Sequence, residues 1–386
     1  MISTLGLLWS TVGGSLAGYV FTRIVGRQQS SLTSSVNTIE ILVAAHNEEK
    51  VIGYTLRSLQ AAVERFVATH GKGVGLKITV GLDHCTDATL RVVEDFARTT
   101  RVPVATIENP GKAGKWNVLN LLARQSKADW VAFVDSGSLW EPELLVEAFA
   151  SMSDGSVIGV APSYSTSTGG RLEQLNWGLE QSLKRLENHS GGPVSVHGAS
   201  VLYRREPLLL ALAELNGTLW LNDDVVLPLT LRLQNPDKRI VYMIHASKPA
   251  FVGDCGVRSE LAVEYRRRRR MVVGNLQWIQ NKFLTSHRRN FGVTLIASRR
   301  VARMLWAYWA LGLGASAVFA LLEILNRAGF TSVERAVCAA VLGLGTMVLF
   351  AASNWIRRLA MAFLSGLQVP RLWRSLSKEE GGVSWV

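Results

Sequence analysis

The feature that most constrains the fold is a regular alternation of short apolar runs and longer amphipathic runs over residues 38–152. Short apolar runs are typical of buried strands, whereas an apolar residue at every third or fourth position predicts a helix. The strand-like runs are TIEILVAA, LKITVGLD, PVATIEN and WVAFVDS, and each is followed by a helix-like run. Strands separated by helices predict an α/β fold in which helices cover both faces of a mostly parallel sheet.

The alternation loosens after residue 155. SVIGVAPSY predicts a further strand, residues 170–189 a long helix, residues 223–233 another helix, and KRIVYMIH a closing strand. Between them the segment SGGPVSVHGAS predicts a glycine-rich turn, which leads into the short run SVLYRRE.

Three apolar runs each have about the length that crosses the hydrocarbon core of a bilayer. They are residues 3–22, which carry no charge, Met304–Leu322 and Ala336–Trp355. A signal peptide is the alternative for the first run, but Arg23 and Arg27 follow this run instead of preceding it. We therefore expect three transmembrane helices.

The arginines that flank these runs predict an external amino terminus and a cytoplasmic central domain. The expected location is the cell membrane, that is the inner or plasma membrane. The expected segments are an N-terminal transmembrane helix (1–27), a linker (28–36), a cytoplasmic α/β domain (37–282), an interfacial basic segment (283–303), a transmembrane hairpin (304–356) and a cytoplasmic tail (357–386).

The net charge of +12 is concentrated in one part of the chain. Residues 258–303 contain twelve Lys or Arg residues and two Glu residues. Because this stretch precedes an apolar run, anionic lipid headgroups explain it better than nucleic acid, which we do not expect as a partner. The three cysteines show neither disulfide nor metal-ligand spacing.

Acidic residues follow several of the strand-like runs. Asp135 ends WVAFVD, Asp83 ends ITVGLD, Glu48 follows ILVAAHN, and Asp224 lies within LWLNDDVVL. Open α/β sheets bind ligands in the crevice at the carboxyl ends of their strands. These carboxylates are therefore expected to line one site, and together they suggest a nucleotide-sugar ligand.

Six motifs in order carry a family resemblance. They are AAHNEE, LDHCTDAT, GKWNVLN, VDSGSLWEP, NDDVVL and RRRRMVVGNLQW. The set resembles the membrane-bound branch of family 2 glycosyltransferases, which includes cellulose, hyaluronan and chitin synthases and ceramide glucosyltransferase. The resemblance covers Thr38 to Trp278 and implies the GT-A fold.

The resemblance implies roles in binding a nucleoside-diphosphate sugar, most simply a UDP-sugar. The turn from Ala44 to Glu48 would hold the nucleobase and ribose. The alternative is that Glu48 only helps to cap the next helix, where acidic residues interact favourably with the helix dipole. Asp83 would bind the uracil ring, and Lys115 would meet the diphosphate, with Lys112 as a nearby alternative.

Two arginines of the run 266–270 match the family's Q-x-x-R-W signature, in which Met271 replaces the tryptophan. They are Arg267 and Arg270, which share a helix face and are assigned to the leaving diphosphate. A charge run beside a membrane is the alternative.

The acceptor side of the predicted site centres on Asn222-Asp223-Asp224, which stands where the family has Thr-Glu-Asp. The resemblance makes Asp224 the general base, a role that contributes about 10²–10⁴ in rate. Asp223 and Trp220 are expected to contact the acceptor, and a buried core tryptophan is the equally open alternative for Trp220.

Asp135 is the expected ligand of a divalent cation, Mg²⁺ or Mn²⁺. The family's Asp-x-Asp pair is incomplete here, because the third position is Gly137. Magnesium takes few protein ligands and keeps several waters, so one carboxylate can suffice.

The sequence therefore predicts a membrane-anchored, inverting glycosyltransferase acting on a lipid-linked or membrane-bound glycan acceptor in surface polysaccharide or glycolipid synthesis. Two alternatives stay open. One is a processive polysaccharide synthase that works as an oligomer or with a partner, and the other is a catalytically dead scaffold or regulatory relative.

Overall fold

The computed structural model describes residues 1–26, 33–166, 171–255, 261–334, 337 and 363–376. Its strands are β1 (Thr38–Ala45), β2 (Gly75–Leu82), β3 (Val104–Glu108), β4 (Trp130–Asp135), β5 (Ser138–Trp140), β6 (Val157–Pro162), β7 (Ser200–Arg204), β8 (Arg239–Met243) and β9 (Val252–Asp254). Its helices are α1 (Ile2–Leu8), α2 (Gly14–Val25), α3 (Ile52–His70), α4 (Thr89–Thr99), α5 (Lys115–Gln125), α6 (Leu144–Met152), α7 (Arg171–Glu187), α8 (Arg205–Glu214), α9 (Asp223–Gln234), α10 (Leu261–Trp278), α11 (Leu284–Ser286), α12 (Phe291–Met304), α13 (Trp306–Arg327) and α14 (Val369–Leu376).

Seven strands form the main sheet in the order β3-β2-β1-β4-β7-β6-β8. The first four in this order pair in parallel, and so do β6 and β8, whereas β7 is antiparallel to both of its neighbours. The predicted α/β class with a mostly parallel sheet is confirmed. Because β1 and β4 lie side by side with Ala44 opposite Asp135, the loops that follow them open at one edge of the sheet.

Apolar side chains cover the sheet on both faces. β1 and β4 lie in its middle and are almost wholly buried, which explains their unbroken apolar runs. On one face they pack with α5, α8, α9 and α12, and on the other with α3 and α6. The two cores fix the helices whose first residues carry the polar groups of the site.

Two elements were not among those predicted from the sequence. After Asp135, residues 138–140 form β5, which pairs antiparallel with β9. Strands of three residues carry too little periodicity to be recognised, and their partners lie more than 100 residues apart. Helix α8 was also not expected, because its apolar residues read equally well as part of a loop.

The N-terminal helix packs against the protein along most of its length. α1 and α2 are joined by a π-helical turn at Trp9–Gly13 and run antiparallel to α12 and the start of α13. A Cβ added at Gly14 would lie 2.7 Å from the carbonyl oxygen of Leu295, and one at Gly18 would lie 2.5 Å from Ile296 Cγ1. These glycines are therefore needed for the close approach of the two helices.

The expectation of three spans is confirmed only in part. Among the described residues, one helix is long and apolar enough to cross a membrane, Trp306–Arg327. The run 3–22 does not qualify, because it is divided into α1 and α2 by the π-helical turn at Trp9–Gly13, and neither helix is long enough to span a bilayer. The run 336–355 lies outside the described residues apart from residue 337, and the first part of the linker, 27–32, is also outside them.

Candidate active site

Two loops at the ends of β1 and β2 form one wall of the site. Asn47 and His84 both adopt left-handed backbone conformations, with φ of 55° and 52°. The side-chain oxygen of Asn47 accepts a hydrogen bond from the backbone N–H of Thr86 at 2.8 Å, which joins the two loops. Asp87 accepts hydrogen bonds from both the N–H and the hydroxyl of Thr89, the first residue of α4. These hydrogen bonds cap the start of α4.

Asp83, the residue that the resemblance assigns to the uracil ring, contacts the loop before α5, and its ligand-binding role stays a prediction. Its side chain is fully buried and accepts hydrogen bonds from Asn109 Nδ2 at 2.6 Å and from the backbone N–H of Gly114 at 2.7 Å. His84 Nδ1 lies 3.1 Å from the same carboxylate. In this structure Asp83 therefore holds the loop before α5 in place, because its oxygens already face buried donors.

Gly114 lets this loop turn into α5. Its φ of 142° lies in the region that favours glycine, and a Cβ here would approach Leu219 Cδ1 to 3.2 Å. Lys115 is the first residue of the helix, so the hydrogen bond between Asp83 and Gly114 fixes where its side chain starts. Lys112, the alternative diphosphate ligand, is exposed in the preceding loop.

Lys115 bridges two of the predicted carboxylates. Its Nζ is 2.6 Å from Asp135 Oδ1 and 3.1 Å from Asp223 Oδ2. Burial opposes the charge of the ammonium group, but Asp135 and Asp223 outweigh it and hold the pKa of Lys115 above its ordinary value. The structure thus brings residues from α5, β4 and α9 into one cluster, as the sequence predicted.

Asp224 adjoins this cluster at the start of α9. Its side chain is 24% exposed, and burial raises the pKa of its carboxyl group, with Asp223 adding to the rise. The backbone oxygen of Asp224 accepts from the N–H of Val196, and a Cβ at Gly198 would lie 3.6 Å from Asp224 Cβ. The loop before β7 therefore runs directly past this carboxylate.

The same loop contacts the end of β4. Ala199 O accepts hydrogen bonds from the backbone N–H of Asp135 at 3.1 Å and from Ser138 Oγ at 3.0 Å. One loop thus links the surroundings of Asp135 and Asp224. A sugar placed between these two carboxylates would contact the loop backbone.

Glu48 lies on the opposite wall and interacts electrostatically with Asp135. Burial and the Asp135 carboxylate raise the pKa of Glu48 to about 7, and Asp87 contributes as well. Ala44, the residue before the last one of β1, pairs with Asp135, and its carbonyl oxygen accepts a hydrogen bond from Ser136 Oγ at 2.9 Å. Both predicted residues therefore lie at the same edge of the sheet as Asp135.

Trp220 is a core residue in this structure. Its side chain is 6% exposed, and its indole N–H donates to Leu215 O at 3.0 Å. This burial agrees with the core alternative, and the acceptor-stacking role stays a prediction.

The arginine run lies in α10. The backbone of Arg267 is described but its side chain is not, so that prediction stays open. The Nε of Arg270 is buried and has no hydrogen-bond partner among the described residues. α10 packs on the site at Gly274, where a Cβ would lie 2.5 Å from Asn222 Oδ1, and Asn222 Nδ2 donates to Met271 O at 3.1 Å.

The residues at Asp135 fit a loosely held divalent cation. The carboxylate is 39% exposed, and its electrostatic repulsion with Glu48 is one that a cation would relieve. Over the described part of the chain, no group of three or more His, Cys, Asp and Glu side chains is arranged to hold a metal. Such a cation would take its other ligands from phosphate oxygens and water, as Mg²⁺ commonly does.

The fold and this cluster of carboxylates and lysine define a glycosyltransferase with the GT-A fold. Residues 37–274 match the family described as "Glycosyltransferase like family 2", which is more than half of the chain. The chain belongs to this family. Comparison with curated protein sequences gave no match.

Several solved structures are similar to this chain, and PcManGT shares its fold. The mannosyltransferase PcManGT from Pyrobaculum calidifontis, in complex with GDP-Man and Mn²⁺, is 17% identical, with 98% of this chain and 100% of that chain covered and a TM-score of 0.65. S. aureus TarS (residues 1–349) is 18% identical over 68% of this chain and 71% of that one, with a TM-score of 0.41. Glucosyl-3-phosphoglycerate synthase from Mycobacterium tuberculosis, in complex with Mn²⁺, UDP and phosphoglyceric acid, is 17% identical over 62% and 78%, with a TM-score of 0.39.

Proposed function

We propose that the protein is a membrane-anchored, inverting glycosyltransferase that uses a nucleoside-diphosphate sugar, with a UDP-sugar as the first choice. The observation that carries this proposal is the convergence of Lys115, Asp135, Asp223 and Asp224 at one edge of the sheet. Two carboxylates bound to an ammonium group, beside a third carboxylate of raised pKa, suit a site that binds a diphosphate and removes a proton.

The reaction we propose is a single displacement at the anomeric carbon. Asp224 takes the proton of the acceptor hydroxyl, the hydroxyl oxygen bonds to the anomeric carbon, and the bond from that carbon to the phosphate oxygen breaks. Lys115 and Arg270 stabilise the negative charge of the departing diphosphate, with Arg267 as the second arginine of this set. A cation at Asp135 would supply further neutralisation of the phosphates.

The membrane part of the proposal rests on α13 and on charge. α13 is apolar and exposed along most of its length, as a helix in lipid would be. The basic stretch that precedes it suits anionic headgroups of the cytoplasmic leaflet. We propose that the catalytic domain faces the cytoplasm and that the acceptor is a lipid-linked or membrane-bound glycan. The support for this is that Arg300 of the basic stretch lies 3.6 Å from Asp224 in the site.

A donor screen on the purified full chain tests the proposal. We expect nucleotide release from one member of a panel of UDP-glucose, UDP-galactose, UDP-N-acetylglucosamine and GDP-mannose, the last because the PcManGT structure holds GDP-Man. Asp224→Asn should still bind the nucleotide and lose at least 100-fold in turnover. Normal turnover in this variant would refute the assignment of the base, and no release from any donor would favour the scaffold alternative.

A further inference from the structure

Arg300 of α12 reaches the proposed base from a segment expected to lie at the membrane interface. Its Nη2 is 3.6 Å from Asp224 Oδ2, and the two side chains are 20% and 24% exposed. This distance is too long for a hydrogen bond, so the two groups attract as charges. The carboxylate consequently remains able to accept a proton from a hydroxyl group.

The neighbours of Arg300 on α12 are committed elsewhere. Arg299 forms two hydrogen bonds with Glu180, at 3.0 and 3.1 Å, and Arg303 contacts the same carboxylate at 2.7 Å. The Nε of Arg300 is buried and, among the described residues, has no hydrogen-bond partner. Of these three arginines, Arg300 is thus the one directed toward α9.

Four other groups that titrate or carry charge face Asp224. They are Asp223 beside it, Lys115 from α5, Lys184 from α7 and the buried Tyr203 from β7. Lys115 is held by Asp135 and Asp223, while Lys184 donates to Ser195, and burial lowers the pKa of Lys184 to about 8. A guanidinium group keeps its charge at every working pH. Among the cations that the structure describes beside Asp224, Arg300 is therefore the one with a permanent charge and no closer acidic partner.

The position of α12 is set by the helices around it. The close contacts at Gly14 and Gly18 hold α2 against α12, and Glu187 of α7 accepts from Ser15 while lying 3.6 Å from Arg299. A shift of α12 would therefore need these buried contacts to break. The same packing that docks the N-terminal helix also fixes where the guanidinium of Arg300 stands.

We propose that Arg300 is a positioning residue for glycosyl transfer, which keeps Asp224 ionised and oriented, and that the layer of α2, α7 and α12 sets its place. The inference rests on the proposed function, since it assumes that Asp224 is the base. Catalysis would then also depend on α12, a helix that lies outside the six sequence motifs.

The test is the pH dependence of turnover in variants of the full chain. The assay follows nucleotide release from the donor that the screen selects, with water as the acceptor. Arg300→Gln removes the charge, Arg300→Met removes it while keeping an apolar stem, and Arg300→Lys keeps it. Arg303→Gln is the matched control, because Arg303 lies one turn further along α12 and contacts Glu180 instead.

We expect the acidic limb of the turnover profile to move up by about one pH unit in Arg300→Gln and Arg300→Met, since the carboxyl group loses its nearby cation. The loss of turnover should be about tenfold on that limb and should shrink toward alkaline pH. Arg300→Lys should keep most of the wild-type profile, and Arg303→Gln should match wild type. Nucleotide affinity, which does not use Arg300, should be unchanged in all four variants.

The outcomes separate the inference from the proposed function. If wild type turns over donor, Asp224→Asn is inactive and both neutral Arg300 variants keep the wild-type limb, the inference fails and the function stands. If Arg300→Lys is displaced as far as Arg300→Gln, charge is not what Arg300 supplies and the inference fails as well. If Asp224→Asn retains full turnover, Asp224 is not the base, and the inference about Arg300 fails together with that assignment.

Discussion

Replacing Lys115 by methionine tests whether the ammonium group holds the site together. Methionine has a similar length and no charge, so Asp135 and Asp223 would lose the cation that lies 2.6 and 3.1 Å from them. Breaking a buried ion pair costs about 3–5 kcal/mol, whereas an exposed pair is worth about 0–1 kcal/mol. The three side chains are 20%, 39% and 16% exposed, which places the expected loss near 2 kcal/mol.

Thermal unfolding of the detergent-solubilised chain measures this loss. For a domain of this size we expect the melting temperature of Lys115→Met to fall by roughly 4–8 °C. Lys112→Met is the control, because Lys112 is exposed and should shift the melting temperature by less than about 1 °C. Nucleotide affinity should also fall in Lys115→Met, by about tenfold, and remain near wild type in the control.

A second substitution decides whether uncompensated charge is the cause. Asp223→Asn in the Lys115→Met background should recover about half of the lost stability, because a neutral amide no longer needs a cation. Nucleotide affinity should not recover with it. An unchanged melting temperature in Lys115→Met, or no recovery in the double variant, would refute the reasoning.

The remaining predictions concern two glycines and one acid. Gly192→Ala should prevent stable folding, because a Cβ there would lie 1.7 Å from Ile240 O. The check is whether the purified variant shows a cooperative thermal unfolding transition. The pKa of Glu48 is raised to about 7 in the folded protein, so stability falls as the pH rises from about 4.5 through 7. The free energy of unfolding of Glu48→Gln should therefore exceed that of wild type by roughly 1–2 kcal/mol at pH 8 and by almost nothing at pH 5. Gly137→Asp, which restores the Asp-x-Asp pair, should lower the Mn²⁺ concentration for half-maximal nucleotide release several-fold, with Gly137→Ala as the control for its φ of 86°.

The parts of the fold that follow from local sequence were predicted correctly. Strands β1, β2, β3 and β4 and the helices after them have runs long enough for their periodicity to be read, and all lie where they were expected. Glu48 and Asp135, which follow or end neighbouring strands, interact electrostatically, because parallel strands place their carboxyl ends at one edge. The short strands β5 and β9 could not be found this way, since their pairing joins distant segments.

The contacts of individual residues were harder to predict. The hydrogen bonds that Asp83 accepts from Asn109 and from the N–H of Gly114 could not be foreseen, because these donors lie in a loop that no spacing rule connects to Asp83. Trp220 is equally ambiguous in sequence, because a core tryptophan and a stacking one follow the same apolar pattern. Arg300 was counted only as one charge among twelve, and nothing local distinguishes it from Arg299.

The N-terminal run shows how composition alone can mislead. An uncharged stretch of 20 residues satisfies the length of a span, yet Gly14, Ser15 and Gly18 place small residues at helical spacing within it. Such a stripe is typical of a helix that packs closely against another helix. The sequence thus indicated a close helix–helix contact, and the partner in the structure is α12, which lies within the basic segment 283–303.

The packing of the N-terminal helices against α12 and α13 also determines which contacts can form early during translation. Residues 2–25 are translated before the α/β domain, but the surface that they pack against, around residues 292–312, is translated almost 300 residues later. At 5–20 residues per second this interval is roughly 15–60 s. The contacts between α2 and α12 therefore cannot form until the whole sheet has been translated.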